Sequence, residues 1–221
     1  MYRLCWCLLF VAMGNMGLPS KWIEMTHKFD NTTLSWPGST TFKHTLVFQG
    51  KKPLFYYTSY DISASEHTGT HLDSPIHFAA GKWTTDQIPL DRLIGDAIVV
   101  DITAKASQNR DAQLTVADLE AWEKQNGRIP DGVILLVLKQ AGLHGDAARW
   151  IVTNRDIKLF GIDTASVDYG QSKDFISHQT LFAKNIPALE NVANLDKLPA
   201  KGATVYAAPQ YITDGSGGPC R

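Results

Sequence analysis

Three of the chain's seven histidines, His67, His71 and His77, fall within eleven residues, with Asp73 among them. Imidazole nitrogens and carboxylate oxygens are the donors that hold zinc and its neighbours among the divalent ions. Backbone shape decides whether these four can act together. Offsets of four, six and ten from His67 put them all on one face of a plain strand. An extended i to i+4 pair then lies roughly 13 Å apart, whereas metal–ligand bonds of about 2.0–2.2 Å need the donors nearly touching. A helix would bring His67 and His71 together, but Gly69, the β-branched Thr68 and Thr70, and Pro75 oppose helix. What is left is an extended segment that bends sharply at Gly69, where the missing Cβ permits an unusual φ, and leaves stiffly through Pro75. A solvated His-rich loop is the bland alternative. Four donors spaced by a Gly and a Pro that steer the backbone favour a metal site.

The rest of the chain sets bounds. At 221 residues it can bury one sizeable core, so one domain is expected. Hydrophobic residues at 44% and charged residues at 19% exclude a disordered chain. A net charge of −1, with Lys and Arg scattered, gives no footprint for nucleic acid or an anionic membrane. The start differs: Arg3, an apolar run from Leu4 to Met13, then Ala12-Met13-Gly14. That pattern fits a secretory signal peptide over residues 1–20 and is too short to span a bilayer; a buried first strand is the alternative. Cleavage would remove Cys5 and Cys7 and leave only Cys220, so no disulfide framework is possible within one chain. The sequon Asn31-Thr32-Thr33 agrees with secretion.

Several elements must position the histidines. Trp22 to Thr26, Phe42 to Gln49 and Leu54 to Ile62 are strand candidates, the last two joined by a hairpin loop at Gly50 to Pro53. Trp36-Pro37-Gly38 is a turn carrying a large aromatic, by itself as suited to a core or lid as to a pocket. Ala97 to Ile102, Gly132 to Leu138 and Ile157 to Ile162 are apolar runs typical of buried strands. Thr115 to Asp118 forms a capping box that opens a helix with Leu119 and Trp122 inward, ending near Gly127; Asp146 to Thr153 is a second helix. Strands alternating with helices predict an α/β layer, with an antiparallel part in the first sixty residues. Asp163 and Asp168 follow a strand end, where functional groups often sit, but turn capping is the role expected of them. Glu190 interrupts the apolar stretch Ile186 to Val192. A carboxylate placed there must be paired, protonated or metal-bound.

The stretch His67-Thr68-Gly69-Thr70-His71-Leu72-Asp73-Ser74-Pro75-Ile76-His77-Phe78 resembles the H-x-G-T-H-x-D-x-P-x-H-F signature of the cyclase-like metal hydrolases. That family includes the bacterial-type kynurenine formamidases and the isatin hydrolases. Gly161 to Asp168 is similar to its G-x-D-x-x-S-x-D element, and Gly215 to Arg221 to its terminal G-x-G-x-P-x-R. The resemblance covers residues 22 to 221 and implies one mixed-sheet α/β domain over 21–221, of the swivelling β/β/α type, in a homodimer or homotetramer. It implies that His67, His71 and Asp73 hold one ion and that His178 and Glu190 complete a second. Trp36 would line the substrate pocket. Zinc is the expected metal, with manganese, as in isatin hydrolases, the alternative. The implied reaction is arylformamidase-type hydrolysis of N-formylkynurenine to kynurenine and formate, or else opening of a lactam such as isatin. His77, beyond the tight ligand cluster, is the candidate proton shuttle, its ordinary pKa near 6.5 suiting the task; it could instead be a ligand. One departure stands out: the family's longer loop after the Leu135-Leu136 strand is cut short after Val137. From it comes a reading of another class, a metal-binding protein that keeps the fold with impaired catalysis. A serine hydrolase is disfavoured, since no G-x-S-x-G is present.

Overall fold

A computed structural model describes residues 21–109, 111–138 and 142–221. The expected signal peptide with Cys5 and Cys7, and residues 139–141 in the shortened loop, lie outside them. In chain order the strands are β1 (Lys43–Lys51), β2 (Tyr56–Ser63), β3 (His71–Asp73), β4 (Ile94–Asp101), β5 (Gln113–Leu114), β6 (Val133–Leu138), β7 (Gly142–Leu143), β8 (Ile157–Ile162), β9 (Ala188–Glu190), β10 (Lys201–Tyr206) and β11 (Gly217–Pro219). The helices are α1 (Leu90–Leu93), α2 (Thr103–Ala106), α3 (Val116–Asn126), α4 (Gly145–Asn154) and α5 (Ile176–Phe182).

The unbroken apolar runs become the middle of a seven-stranded sheet in the order β10-β4-β6-β8-β9-β3-β11. β4, β6, β8 and β9 pair in parallel, and β10, β3 and β11 join antiparallel. A strand buried on both faces needs apolar residues at every position, and β6 shows it. Val133, Leu135 and Val137 pack with α3, α4 and α5 residues such as Leu119, Trp122, Ile151 and Phe182. Ile134 and Leu136 turn to the other face, against Leu72, Val99, Leu195 and Val205. α3 starts as expected: the Asp118 carboxylate accepts from Thr115 N at 2.8 Å and Thr115 Oγ1 at 2.6 Å. It stops at Gly127, whose φ of +85° suits a residue without Cβ. The result is one α/β domain with a mixed sheet and few helices, as the sequence implied.

β1 and β2 form the expected antiparallel hairpin, which among the described residues is a two-stranded sheet separate from the main one. The other early strand candidate differs from expectation. Trp22 to Thr26 is not a strand. That segment is pinned by single bonds, Ala193 N to Met25 O at 2.9 Å and Asn194 Nδ2 to Glu24 O at 2.6 Å, rather than by a ladder.

Two connections position the clustered histidines. The sharp bend falls at Gly69, with φ +62°, and a Cβ there would come within 2.7 Å of the Phe29 ring. Beyond it β3 lies between β9 and β11, in a register that sets His71 opposite Glu190. Residues about 120 positions apart in sequence thus become cross-strand neighbours.

Candidate metal centre

The bend at Gly69 brings His67 back against β3. His67 Nδ1 lies 2.7 Å from Asp73 Oδ1, and His71 Nε2 lies 3.1 Å from the same oxygen. His71 and Asp73, two apart on β3, share a face as strand geometry requires. From β9, Glu190 offers Oε2 at 3.5 Å from His71 Nε2 and Oε1 at 3.1 Å from His178 Nε2. His178, on α5, also lies 3.4 Å from Asp73 Oδ2. Asp73 therefore stands between two sets of donors: His67, His71 and Asp73, and Asp73, His178 and Glu190, with the atoms of each set within 4.8 Å of one another. All but His67 are buried.

Hydrogen bonding shows that this cluster suits a cation. His71 Nδ1 lies 2.9 Å from the carbonyl of Gly69. A carbonyl only accepts, so Nδ1 carries the proton and Nε2 of the neutral ring carries a lone pair. Nε2 is buried without a hydrogen-bond partner; Asp73 Oδ1, though close, is not in line with it. His178 repeats the pattern. Its Nδ1 meets Asp168 Oδ2 at 2.6 Å, and its Nε2 faces the two carboxylates. Lone pairs aimed at carboxylate oxygens repel unless a positive charge lies among them, and a divalent ion supplies it. Without metal, protons must do so. Burial opposes charge on His71, but Asp73 and then Glu190 outweigh it and hold its pKa up at about 9. His178 moves the same way, well above the ordinary imidazole value, as Asp168, Asp73 and Glu190 overcome its burial. Burial raises Glu190, and the nearby Asp73 charge adds to it. Asp73 is also buried, yet its three imidazole neighbours draw it well below the usual carboxylate range.

Asp168 exceeds the role that sequence gave it. It caps the start of α5, accepting from Ser177 N at 2.9 Å and His178 N at 3.1 Å, and it also fixes the His178 ring. Asp163 is half-buried just beyond β8.

His77 belongs to the 3-10 turn Pro75–His77 and is not among the clustered donors. Its ring stacks on His67 at a centroid distance of 3.9 Å and faces the pocket beside them. Desolvation, opposed by Asp73 but aided by the other imidazoles, pulls its pKa down to about 4 rather than leaving it near 6.5. His77 is thus neutral at pH 7 and a weaker base than the ordinary imidazole that the sequence led one to expect.

Trp36 reaches this pocket because its segment is clipped to the bend. Gly69 N bonds Leu34 O at 2.7 Å, and Ser35 pairs with Thr68. The Pro37-Gly38 turn, with Gly38 at φ +88°, then points the chain away. Trp36 meets Phe175 edge-on at 6.4 Å, and Phe175 packs on Phe78 at 5.1 Å. These rings wall a cavity of about 190 Å³ whose floor is the donor cluster. Sequence gave no signal for Phe175. It holds an uncommon φ of +49° at the start of α5, and strain of that kind collects at functional sites.

A mixed α/β sheet with His, Asp and Glu donors converging under an aromatic pocket defines a hydrolase scaffold built around residues that could hold a divalent metal. Comparison with known proteins gives the family. Residues 23–169 match the Cyclase family model, described as "Putative cyclase", and the chain belongs to that family as one of its hydrolases. It is 32% identical over 185 residues to an isatin hydrolase of Roseibium aggregatum, covering 71% of this chain and 70% of that one. It is 29% identical over 212 residues to a kynurenine formamidase of Bacillus cereus, covering 91% of this chain and 96% of the relative. Among solved structures, isatin hydrolase A from Labrenzia aggregata bound to benzyl benzoate superposes with a TM-score of 0.83 at 29% identity, covering 90% of this chain and 91% of that one. Among the described residues, no helix is long and apolar enough to cross a membrane.

Proposed function

We propose that this chain hydrolyses the C–N bond of a small aromatic amide, with N-formylkynurenine the first substrate and kynurenine and formate the products. One observation carries the reading: a single pocket joins aromatic walls, Trp36, Phe78 and Phe175, to the cluster His67, His71, Asp73, His178 and Glu190. The rings suit an arene, and the cluster suits one or two divalent ions, zinc first and manganese second. A bound ion would lower the pKa of water to about 7 and polarise a carbonyl. The chain's own groups do the rest. Trp36 and Phe175 hold the ring and exclude water from one side. His77, neutral and at the pocket edge, takes a proton released in the reaction and passes it to the leaving arylamine. Asp168 and the Gly69 carbonyl keep the lone pairs of His178 and His71 aimed inward.

Isatin is the second substrate, favoured by the 32% identity to an isatin hydrolase. Assays of both compounds with zinc-loaded and manganese-loaded protein rank the pairs. Turnover of the formamide with zinc is expected, and no turnover of either compound would remove both assignments. In the other reading, a metal-binding protein with impaired catalysis, the ion binds but neither compound turns over.

We also propose a homodimer or homotetramer and passage through the secretory pathway. The hairpin exposes Leu54 and Ile62 at 92% and 64%, a surface that a second copy would cover. Asn31 lies exposed in a turn, where a glycan could be attached. Light scattering and N-terminal mapping of secreted protein test these; a monomer, or an intact Met1 peptide, refutes them.

A further inference from the structure

His67 differs from its two partners. His71 and His178 present Nε2 to the cluster, whereas His67 presents Nδ1. The reason lies 149 residues away. His67 Nε2 is 2.9 Å from Ser216 Oγ. Ser216 Oγ donates to Glu66 Oε2 at 2.6 Å, and Ser216 N donates to the same oxygen at 2.9 Å. A hydroxyl has one proton. Once that proton is given to the Glu66 carboxylate, Ser216 Oγ can only accept from His67, so Nε2 must carry hydrogen and Nδ1 is left to bind a cation. The backbone is shaped for this contact. A Cβ on Gly217 would lie 2.7 Å from His67 Cε1, and one on Gly215 would lie 3.2 Å from Glu66 Oε1. Glycine on both sides of Ser216 lets the chain pass this close.

We infer that Glu66, acting through the Ser216 hydroxyl, selects Nδ1 of His67 as its metal-ligating nitrogen. Glu66 and Ser216 are positioning residues. The inference rests on the proposed metal site; the proton on Nε2 follows from Ser216 with or without an ion, while Asp73 Oδ1, 2.7 Å from Nδ1, is the acceptor on the other side of the ring.

Glu66→Met removes the acceptor and frees the Ser216 hydroxyl to donate to His67 Nε2, which moves the ring proton to Nδ1 and takes the lone pair out of the site. Metal affinity, read by titration with Zn2+, falls about 10–100-fold. Glu66→Gln keeps a carbonyl oxygen for Ser216 and stays within about threefold of wild type. The double variant Glu66→Met/Ser216→Ala has no hydroxyl left to misdirect the ring, and it recovers affinity relative to Glu66→Met alone. A merely structural role for Glu66 predicts the reverse, a further loss in the double variant, and that result overturns the inference. So does wild-type affinity in Glu66→Met. In 15N-histidine protein loaded with 113Cd2+, the coupling identifies the ligating nitrogen of His67, Nδ1 here and Nε2 if the inference is wrong. Should no metal bind at all, the proposed function fails. The metal-free protein then still decides the proton count: His67 Nε2 without a proton in long-range 1H–15N spectra sinks the Glu66–Ser216 assignment by itself.

Discussion

Replacing Asp168 by Asn tests whether this carboxylate only caps a turn or also aims His178. Its two oxygens take three donors: Ser177 N on Oδ1, and His178 N and Nδ1 on Oδ2. An amide cannot do the same. If its oxygen stays on His178, its NH2 faces the Ser177 N–H and leaves a buried donor unpaired. If it flips, the NH2 faces Nδ1, and the ring proton moves to Nε2, the atom 3.1 Å from Glu190 Oε1. Either way a charge-assisted bond worth about 1.5–3 kcal/mol is lost. Loss of such an outer-shell partner lowers metal affinity by about 10–100-fold, or about 1.4–2.7 kcal/mol. Competition titration of Zn2+ against a chromophoric chelator reads the affinity, and thermal melts of metal-free protein read the stability separately. Asp168→Asn should weaken both. A lowered melting temperature with unchanged zinc affinity would refute the aiming role and return Asp168 to the turn-capping role expected from sequence.

Other perturbations separate the remaining parts. His77→Ala should keep its metal, measured by elemental analysis, while turnover falls about 10²–10⁴-fold; full activity would remove His77 from proton transfer. Gly69→Ala should destabilise by at least about 1 kcal/mol, since φ is +62° and the new methyl meets Phe29, and it should weaken metal binding by moving His67 from His71. A variant that melts and binds like wild type would show that the bend is not what brings them together. Away from the site, Arg155 bonds Glu123 through Nε at 2.7 Å and Nη2 at 2.5 Å and holds its carboxyl below the usual range. With the folded pKa depressed, this stabilisation is present above the unfolded value of about 4.3 and is lost as pH falls through the folded one. Glu123→Gln should therefore be less stable than wild type at pH 6–8, by about 1.5–3 kcal/mol, with the gap closing below about pH 4. A gap independent of pH would show that the charge contributes nothing.

Where local rules decide the structure, sequence was enough. Gly69 among β-branched threonines excluded a helix and required the bend that joins His67 to β3. The unbroken apolar runs gave β4, β6 and β8, because a strand covered on both faces has no polar side. Thr115 and Asp118 marked the start of α3 because a capping box is complete within four residues. Where topology decides, sequence was silent. Nothing near Phe175 shows that the chain between β8 and α5 turns it onto Trp36. Ser216 meets Glu66 only because β11 pairs with β3. Trp22 to Thr26 has strand-forming residues but is held by single bonds to Ala193 and Asn194 instead of a ladder. His77 departs from its ordinary pKa for the same reason, since its burial is a tertiary event.

Donors from β3, the bend before it, α5 and β9 converge where one or two divalent ions would bind. Anomalous diffraction from crystals of the metal-loaded protein, collected at the zinc and manganese edges, reads that convergence without any assay of turnover. The expected result is a peak bounded by His67 Nδ1, His71 Nε2, Asp73, His178 Nε2 and Glu190. A peak elsewhere, or none among these five residues in protein that has taken up metal, would contradict it.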